Sequence, residues 1–127
     1  MTRKLLLPWL PAFLVMGTIF GFSSIPASHL PNFGPTDFFV KKGGHILGYG
    51  FLALAYWFGL RFDKRCWWLA LLCALIYAAS DEFHQSFVLG RHPSWTDALV
   101  IDGSGAAVAL GLAYLWRRKR AVSLKSG

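Results

Sequence analysis

Charged side chains are scarce in this sequence, and acidic ones are the scarcest. The chain has six Asp or Glu and thirteen Lys or Arg, and charged residues make up 15% of its 127 residues. Hydrophobic residues account for 55% and aromatic residues for 17%. Soluble domains of this size seldom carry so much apolar surface. The composition therefore favours a membrane protein, and the length allows one domain.

Cysteine is nearly absent as well, which excludes a disulfide framework. Cys66 and Cys73 lie seven residues apart in one apolar run. Two turns of helix separate them, too far for a disulfide within that helix. Neither residue belongs to a metal-binding cysteine pattern, and no internal repeat or domain linker is visible. We predict two unpaired thiols packed among apolar neighbours.

Long apolar runs, in contrast, are plentiful and suggest how the chain is organised. Four segments of about 18 to 22 residues occur, at residues 5–25, 43–60, 66–87 and 98–116. A helix of that length crosses a hydrocarbon core of about 30 Å. The runs are continuous rather than alternating, which favours helices over strands of a barrel. The sequence predicts an all-α integral membrane four-helix bundle, a single domain over residues 1–127.

The basic residues predict how these helices are oriented. Ten of them fall on one side of the predicted bundle: Arg3, Lys4, Arg61, Lys64, Arg65, Arg117, Arg118, Lys119, Arg120 and Lys125. The opposite side has three, Lys41, Lys42 and Arg91. The positive-inside bias predicts a multi-pass protein of the cytoplasmic membrane with both termini in the cytoplasm. The net charge of +7 is therefore interpreted as an orientation signal, and nucleic acid is not expected as a partner.

A cleaved signal peptide is the alternative for the first segment, with Arg3 and Lys4 as its basic start. Its apolar stretch is long for a signal peptide, and Pro8 and Pro11 interrupt it. We therefore favour a retained first helix.

The third segment ends in the polar stretch SDEFHQ, residues 80–85. Asp81 would lie about 21 Å along a helix that begins near Trp67, in the outer half of the membrane. A carboxylate there is costly unless it is paired, protonated or hydrated, so such residues are functional candidates. Asp81 and Gln85 share a helix face, whereas Glu82 points about 100° away from Asp81. The two carboxylates are not expected to share a partner.

The second and fourth segments bring further ionisable residues to the same side. Lys42 and His45 lie three residues apart, on one face near the start of the second helix. Ser94 and Asp97 match a capping box at the start of the fourth helix. Asp102 lies deeper in that helix among glycines and alanines, which predicts a carboxylate that faces other helices.

We therefore predict one polar cluster at the outer face, from Lys42, His45, Asp81, Glu82, His84, Gln85, Arg91, Asp97 and Asp102. The predicted partners of Asp102 are Lys42, His45 or Arg91.

These same residues carry a family resemblance. Lys42-x-x-His45, the run DEFHQSFVLGR and the pattern D…IDGSG resemble the VanZ-like family of small bacterial membrane proteins. The resemblance covers nearly the whole chain and implies a four-helix membrane core. It also implies a link to the cell envelope, because the founding member is associated with low-level resistance to the glycopeptide teicoplanin.

The chain departs from the family pattern at two places. Leu89 stands where the family often has proline. Asp97 and Asp102 are five residues apart, where four is commoner. Five residues turn an α-helix by about 140°, so these two carboxylates are not required to share a face.

Three functional hypotheses follow. In the first, the cluster binds or helps to modify a lipid or a lipid-linked envelope precursor, through Lys42, His45, Asp81, Glu82, Gln85, Arg91 and Asp102. In the second, the protein is an intramembrane hydrolase or transferase that acts on a lipid headgroup by acid–base or metal-dependent chemistry, with catalytic candidates Asp81, Glu82, His45 and His84. In the third, the carboxylates relay protons in a transporter. No metal ion or cofactor is predicted, since no ligand spacing is recognised. The oligomeric state stays open.

Overall fold

The computed structural model describes residues 2–125 of the chain. Residues 1, 126 and 127, which the single-domain prediction includes, lie outside the described residues. Helix accounts for 81% of the structure, and no strand occurs in the described range. The predicted all-α class is therefore confirmed.

Within residues 2–125, six α-helices and several tighter or wider turns follow one another. In order they are α1 (Thr2–Leu6), a 3₁₀ turn (Leu7–Trp9), α2 (Leu10–Ser23), 3₁₀ turns at Ala27–His29 and Gly34–Thr36, α3 (Asp37–Gly59), α4 (Trp67–Gln85), α5 (Trp95–Asp97), a π-helical turn (Ala98–Asp102) and α6 (Gly103–Ser123). The four long helical segments of the bundle are α1–α2, α3, α4 and α5–α6.

Two local features explain the 3₁₀ turn after α1 and the start of α3. Pro8 lies in the 3₁₀ turn between α1 and α2, where its missing N–H removes a helical hydrogen bond. α3 begins at Asp37, earlier than the apolar run from residue 43, because polar contacts extend the helix. The Asp37 carboxylate accepts from the Phe33 N–H at 3.2 Å and pairs with Lys41 at 2.6 Å. That ion pair lowers the pKa of the Asp37 carboxyl.

Two helical segments in the described range are long and apolar enough to cross a membrane. They are Lys4–Ser23 and Trp95–Lys125, with mean hydropathies of 1.9 and 1.7. Polar residues begin α3 and end α4, and neither helix is among the two that qualify.

α3 is the central helix, and it packs against α2, α4 and α6. Leu52, Ala53 and Trp57 on α3 are fully buried. Its closest neighbour is α6, where a Cβ on Gly105 would lie 2.4 Å from the carbonyl oxygen of Ile46. Only glycine allows the two backbones to approach so closely, which is the small-residue packing expected between membrane helices.

The end of the bundle near the α3–α4 connection is held by aromatic rings, and we call it the aromatic end (Trp57, Phe62, Tyr114 and Arg117). Trp57 packs edge-on against Phe62, with ring centroids 5.3 Å apart, and stacks on Tyr114 at 6.5 Å. The Arg117 guanidinium lies 4.4 Å from the Phe62 ring centre. The Trp57 indole N–H also donates to the backbone carbonyl of Asp63 at 2.8 Å. These contacts position the opposite end of the same helices, where the candidate site lies.

Candidate binding site at the polar end

The other end of the bundle collects the buried polar side chains. Five polar or charged residues are buried in the described structure: Ser23, Asp81, Glu82, Gln85 and Asp102. All five lie near the end of α2, the end of α4 or the start of α6. We call these residues, together with Lys42, His45, Tyr49 and Asp97 that pair with or lie among them, the polar cluster.

Asp81 is at the centre of the hydrogen bonds in this cluster, and only 4% of it is exposed. Its Oδ2 atom accepts from the Tyr49 hydroxyl at 3.0 Å and from the Gln85 amide at 3.1 Å. Gln85 also donates to the Ser23 hydroxyl at 3.3 Å, which links α4 to α2. The Oδ1 atom of Asp81 is buried and has no hydrogen-bond partner among the described residues. Half of this carboxylate is therefore satisfied within the bundle and half is not.

Glu82 faces another part of the structure, as its position on the helix predicts. Its Oε2 atom accepts from the Ser94 backbone N–H at 2.6 Å. The Ser94 hydroxyl in turn accepts from the Asp97 N–H at 3.3 Å, so Ser94 caps α5 as predicted. Glu82 thus takes the place that the Asp97 side chain would have in a capping box. Asp81 and Glu82 therefore share no hydrogen-bond partner in the described structure.

His45 and Asp102 form a carboxylate–imidazole pair between α3 and the π-helical turn before α6. The His45 Nδ1 atom lies 3.0 Å from Asp102 Oδ1. The Asp102 side chain is 2% exposed, whereas the His45 side chain is 33% exposed. The buried carboxylate orients the imidazole ring, and the other ring nitrogen, Nε2, has no hydrogen-bond partner in residues 2–125. Of the three predicted partners of Asp102, the structure selects His45.

Lys42 pairs with Asp97, one turn further along the same two helices. In an α-helix, Asp97 and Asp102 would point about 140° apart. They do not, because the segment between them is π-helical. The Gly103 N–H donates to the Ala98 carbonyl five residues earlier, which makes the turn wider. Residues five apart then face nearly the same way, so Asp97 and Asp102 both face α3.

Arg91 and His84 lie against the end of α2. The Arg91 Nε and Nη2 atoms donate to the carbonyls of Ile25 and Phe22, at 3.1 and 2.7 Å. Arg91 thereby joins the loop after α4 to the end of α2. Burial lowers the pKa of its guanidinium, which nevertheless remains charged. His84 stacks on the Phe20 ring, with centroids 4.4 Å apart.

Sequence reasoning missed several members of the site. Tyr49 was not predicted, although it lies four residues after His45 and hence on the same helix face. Ser23 and Ser24 were missed too; Ser24 lies 3.0 Å from His84 Nε2. Their only sequence signal is a pair of small polar residues at the end of an apolar run.

No group of three or more His, Cys, Asp or Glu in the described chain is arranged to hold a metal ion. Two cavities lie away from the polar cluster, one of about 340 Å³ beside Phe58 and Phe62 and one of about 520 Å³ beside Trp67 and Tyr114. Both belong to the aromatic end of the bundle.

Together these features define a class: an all-helical bundle, with helices able to cross a membrane, that holds a cluster of buried carboxylates at one end. Comparison with known families makes the assignment more specific. The VanZ/LLP1 family model matches residues 7–117, and the chain belongs to that family. No curated protein and no solved structure matches the chain.

Proposed function

We propose that this chain is a multi-pass membrane protein that binds the polar headgroup of a lipid or of a lipid-linked cell-envelope component. The observation that carries the proposal is the set of buried ionisable side chains that three helices bring together at one end. Ionisable groups inside membrane helices are costly and are typically found at functional sites. In a protein of a membrane-associated family, an amphiphile is the ligand that matches a polar end on an apolar bundle.

The proposed topology has four spans, both termini in the cytoplasm and the polar cluster near the outer leaflet. It is supported by the ten basic residues on the aromatic-end side of the bundle, against three at the polar end. Cysteine labelling tests it, in a chain with Cys66→Ser and Cys73→Ser. A membrane-impermeant maleimide should label Asn32→Cys in intact cells, and Lys64→Cys only after lysis. The reverse pattern would overturn the orientation.

The headgroup would be held by Lys42, His45, Asp81, Glu82, Gln85 and Asp102, with Arg91 keeping the end of α2 in place. Native mass spectrometry of the protein extracted from membranes tests this directly. The wild-type protein should retain a lipid or lipid-linked molecule, and Asp81→Asn should lose it. Asp37→Asn is the matched control, because Asp37 pairs with Lys41 outside the cluster. Equal retention by all three proteins would contradict the proposal.

A link to glycopeptide tolerance is the physiological side of the proposal, by analogy with the founding member of the family. Cells that express the wild-type chain should tolerate more teicoplanin than cells that express Asp81→Asn at equal abundance. Tolerance that is unchanged in both Asp81→Asn and Glu82→Gln would separate the cluster from this phenotype.

A specific observation favours acid–base chemistry as a second candidate function. The buried Asp102 carboxylate pairs with Nδ1 of His45, whose side chain is 33% exposed. Nε2 of this partly exposed imidazole can then act as a base. In this version the protein transfers or hydrolyses a group of the bound headgroup. His45→Gln should then abolish turnover of the retained lipid while leaving its binding in place. Loss of binding together with turnover would favour the binding function alone.

A further inference from the structure

The cations of the polar end are already paired with groups of the protein itself. Lys42 forms an ion pair with Asp97, whose side chain is 36% exposed. Arg91 donates to two backbone carbonyls at the end of α2. Neither cation donates a hydrogen bond to Asp81, Glu82 or Asp102 in the described structure.

The buried carboxylates, in contrast, outnumber the cationic or imidazole groups that contact them. Three carboxylates are almost completely buried: the exposed fractions of Asp81, Glu82 and Asp102 are 4%, 4% and 2%. His45 is the only imidazole or cation that the described structure places in hydrogen-bond contact with any of these three carboxylates. Buried negative charge without a matching cation is costly, so a positively charged hydrogen-bond donor would be stabilised here.

Asp81 shows where that donor would bind. Its Oδ2 atom already accepts two hydrogen bonds, from Tyr49 and Gln85, which orient the carboxylate. Its Oδ1 atom is buried and has no partner in the described chain. A buried acceptor left unpaired is destabilising, and protonating that oxygen would only replace it with an unpaired donor.

We propose that the polar cluster recognises a protonated primary amine, whose ammonium group donates to Asp81 Oδ1 beside Glu82 and Asp102. An ammonium is compact, carries three donors and needs no planar acceptor geometry. The inference rests on the proposed function, and it narrows the ligand to amphiphiles with an amino headgroup.

Native mass spectrometry with defined lipids tests the inference. The purified, delipidated protein is titrated with phosphatidylethanolamine, its N-acetylated derivative and phosphatidylglycerol, all with identical acyl chains. We expect phosphatidylethanolamine to bind about tenfold or more tightly than either of the others, because they lack the ammonium. Asp81→Asn should abolish that preference, and Asp37→Asn should keep it. Free ethanolamine in excess should compete if the amine alone is recognised, and should have no effect if the lipid is required.

The outcomes separate this inference from the proposed function. Equal or tighter binding of phosphatidylglycerol would overturn amine recognition and leave headgroup binding standing. Binding of none of the three lipids would overturn both. A preference for phosphatidylethanolamine that survives in Asp81→Asn would remove Asp81 from the site. If Asp81→Asn does not fold, the comparison between the amine and its N-acetylated form on the wild-type protein still decides the ligand class.

Discussion

The two ends of this bundle hold the same helices together by different means. At the polar end, α3 contacts its neighbours through hydrogen bonds, Tyr49 to Asp81 and His45 to Asp102. At the aromatic end, the same helix uses the Trp57 ring against Phe62 and Tyr114. Ring contacts stabilise through apolar area and geometry without a desolvation cost. Buried carboxylates carry that cost, and the proposed headgroup binding would account for their presence at one end.

The same contrast separates the cations. Lys42 pairs with a carboxylate at the polar end, whereas the Arg117 guanidinium lies on the faces of Phe62 and Trp57. A guanidinium is planar and weakly hydrated, which suits it to ring faces. The aromatic end can therefore keep a cation without an acidic partner, and five of the six acidic residues lie toward the polar end.

Substitution at Gly105 is expected to have the largest effect, because it pushes α6 away from α3 beside the His45–Asp102 pair. In Gly105→Ala the added Cβ would lie 2.4 Å from the Ile46 carbonyl oxygen, and backbone cannot move aside cheaply. We expect a loss of about 3 kcal/mol in the free energy of unfolding, measured in detergent. Gly111→Ala on the same helix is the control, since no atom in the described structure lies within 4 Å of its added Cβ. Similar losses for both variants would contradict the close packing of α3 and α6.

Tyr49→Phe tests the hydrogen bonds of the polar end. Removing the hydroxyl leaves the buried Asp81 carboxylate with Gln85 as its remaining donor, which should cost about 1 to 3 kcal/mol. Tyr56→Phe, on the same helix, is the matched control, because the Tyr56 hydroxyl has no hydrogen-bond partner in residues 2–125. Its thermal midpoint in detergent should stay close to that of the wild type. If Tyr49→Phe is equally silent, Asp81 is not held by Tyr49.

Arg117→Lys tests the aromatic end with a smaller expected effect. Lysine keeps the charge but loses the planar contact with Phe62 at 4.4 Å. We expect a loss of about 1 kcal/mol in the free energy of unfolding. Arg118→Lys, at an exposed position, should change it by much less. An Arg117→Lys loss as large as that of Gly105→Ala would show that the aromatic end, rather than helix contact at the polar end, dominates stability.

The Lys42–Asp97 pair should contribute least to stability. Both side chains are partly exposed, at 24% and 36%, and exposed pairs contribute less than about 1 kcal/mol. A double-mutant cycle of Lys42→Ala and Asp97→Ala, followed by thermal unfolding, measures the coupling. A coupling well above that value would place this pair among the buried interactions of the cluster.

Much of the site was predictable because helical spacing determines which residues share a face. Asp81 and Gln85 lie on one face and Glu82 on another, as one turn of helix requires. The small residues after Asp102 likewise predicted that it faces other helices. Tyr49 was not found, because an aromatic residue inside an apolar helix looks the same whether its hydroxyl is paired or not.

Other features could not be read from spacing at all. The π-helical turn that brings Asp97 to the same side as Asp102 depends on how α6 fits against α3. The contact between Arg91 and the end of α2 joins residues 66 and 69 positions apart. Such pairings arise only once the loops between helices come together, as the Ala27 N–H and the Leu89 carbonyl do at 3.1 Å.

The amino-acid sequence by itself determined the all-helical class, the family and the set of ionisable residues near one end of the chain's helices. Hydrophobic run length, motif and helical period are local properties, and each can be counted along the chain. Only the tertiary structure decided which carboxylate pairs with which donor and which oxygen of Asp81 stays unpaired. Those outcomes depend on distances between helices, and a close approach such as that of Gly105 to Ile46 has no counterpart in local spacing.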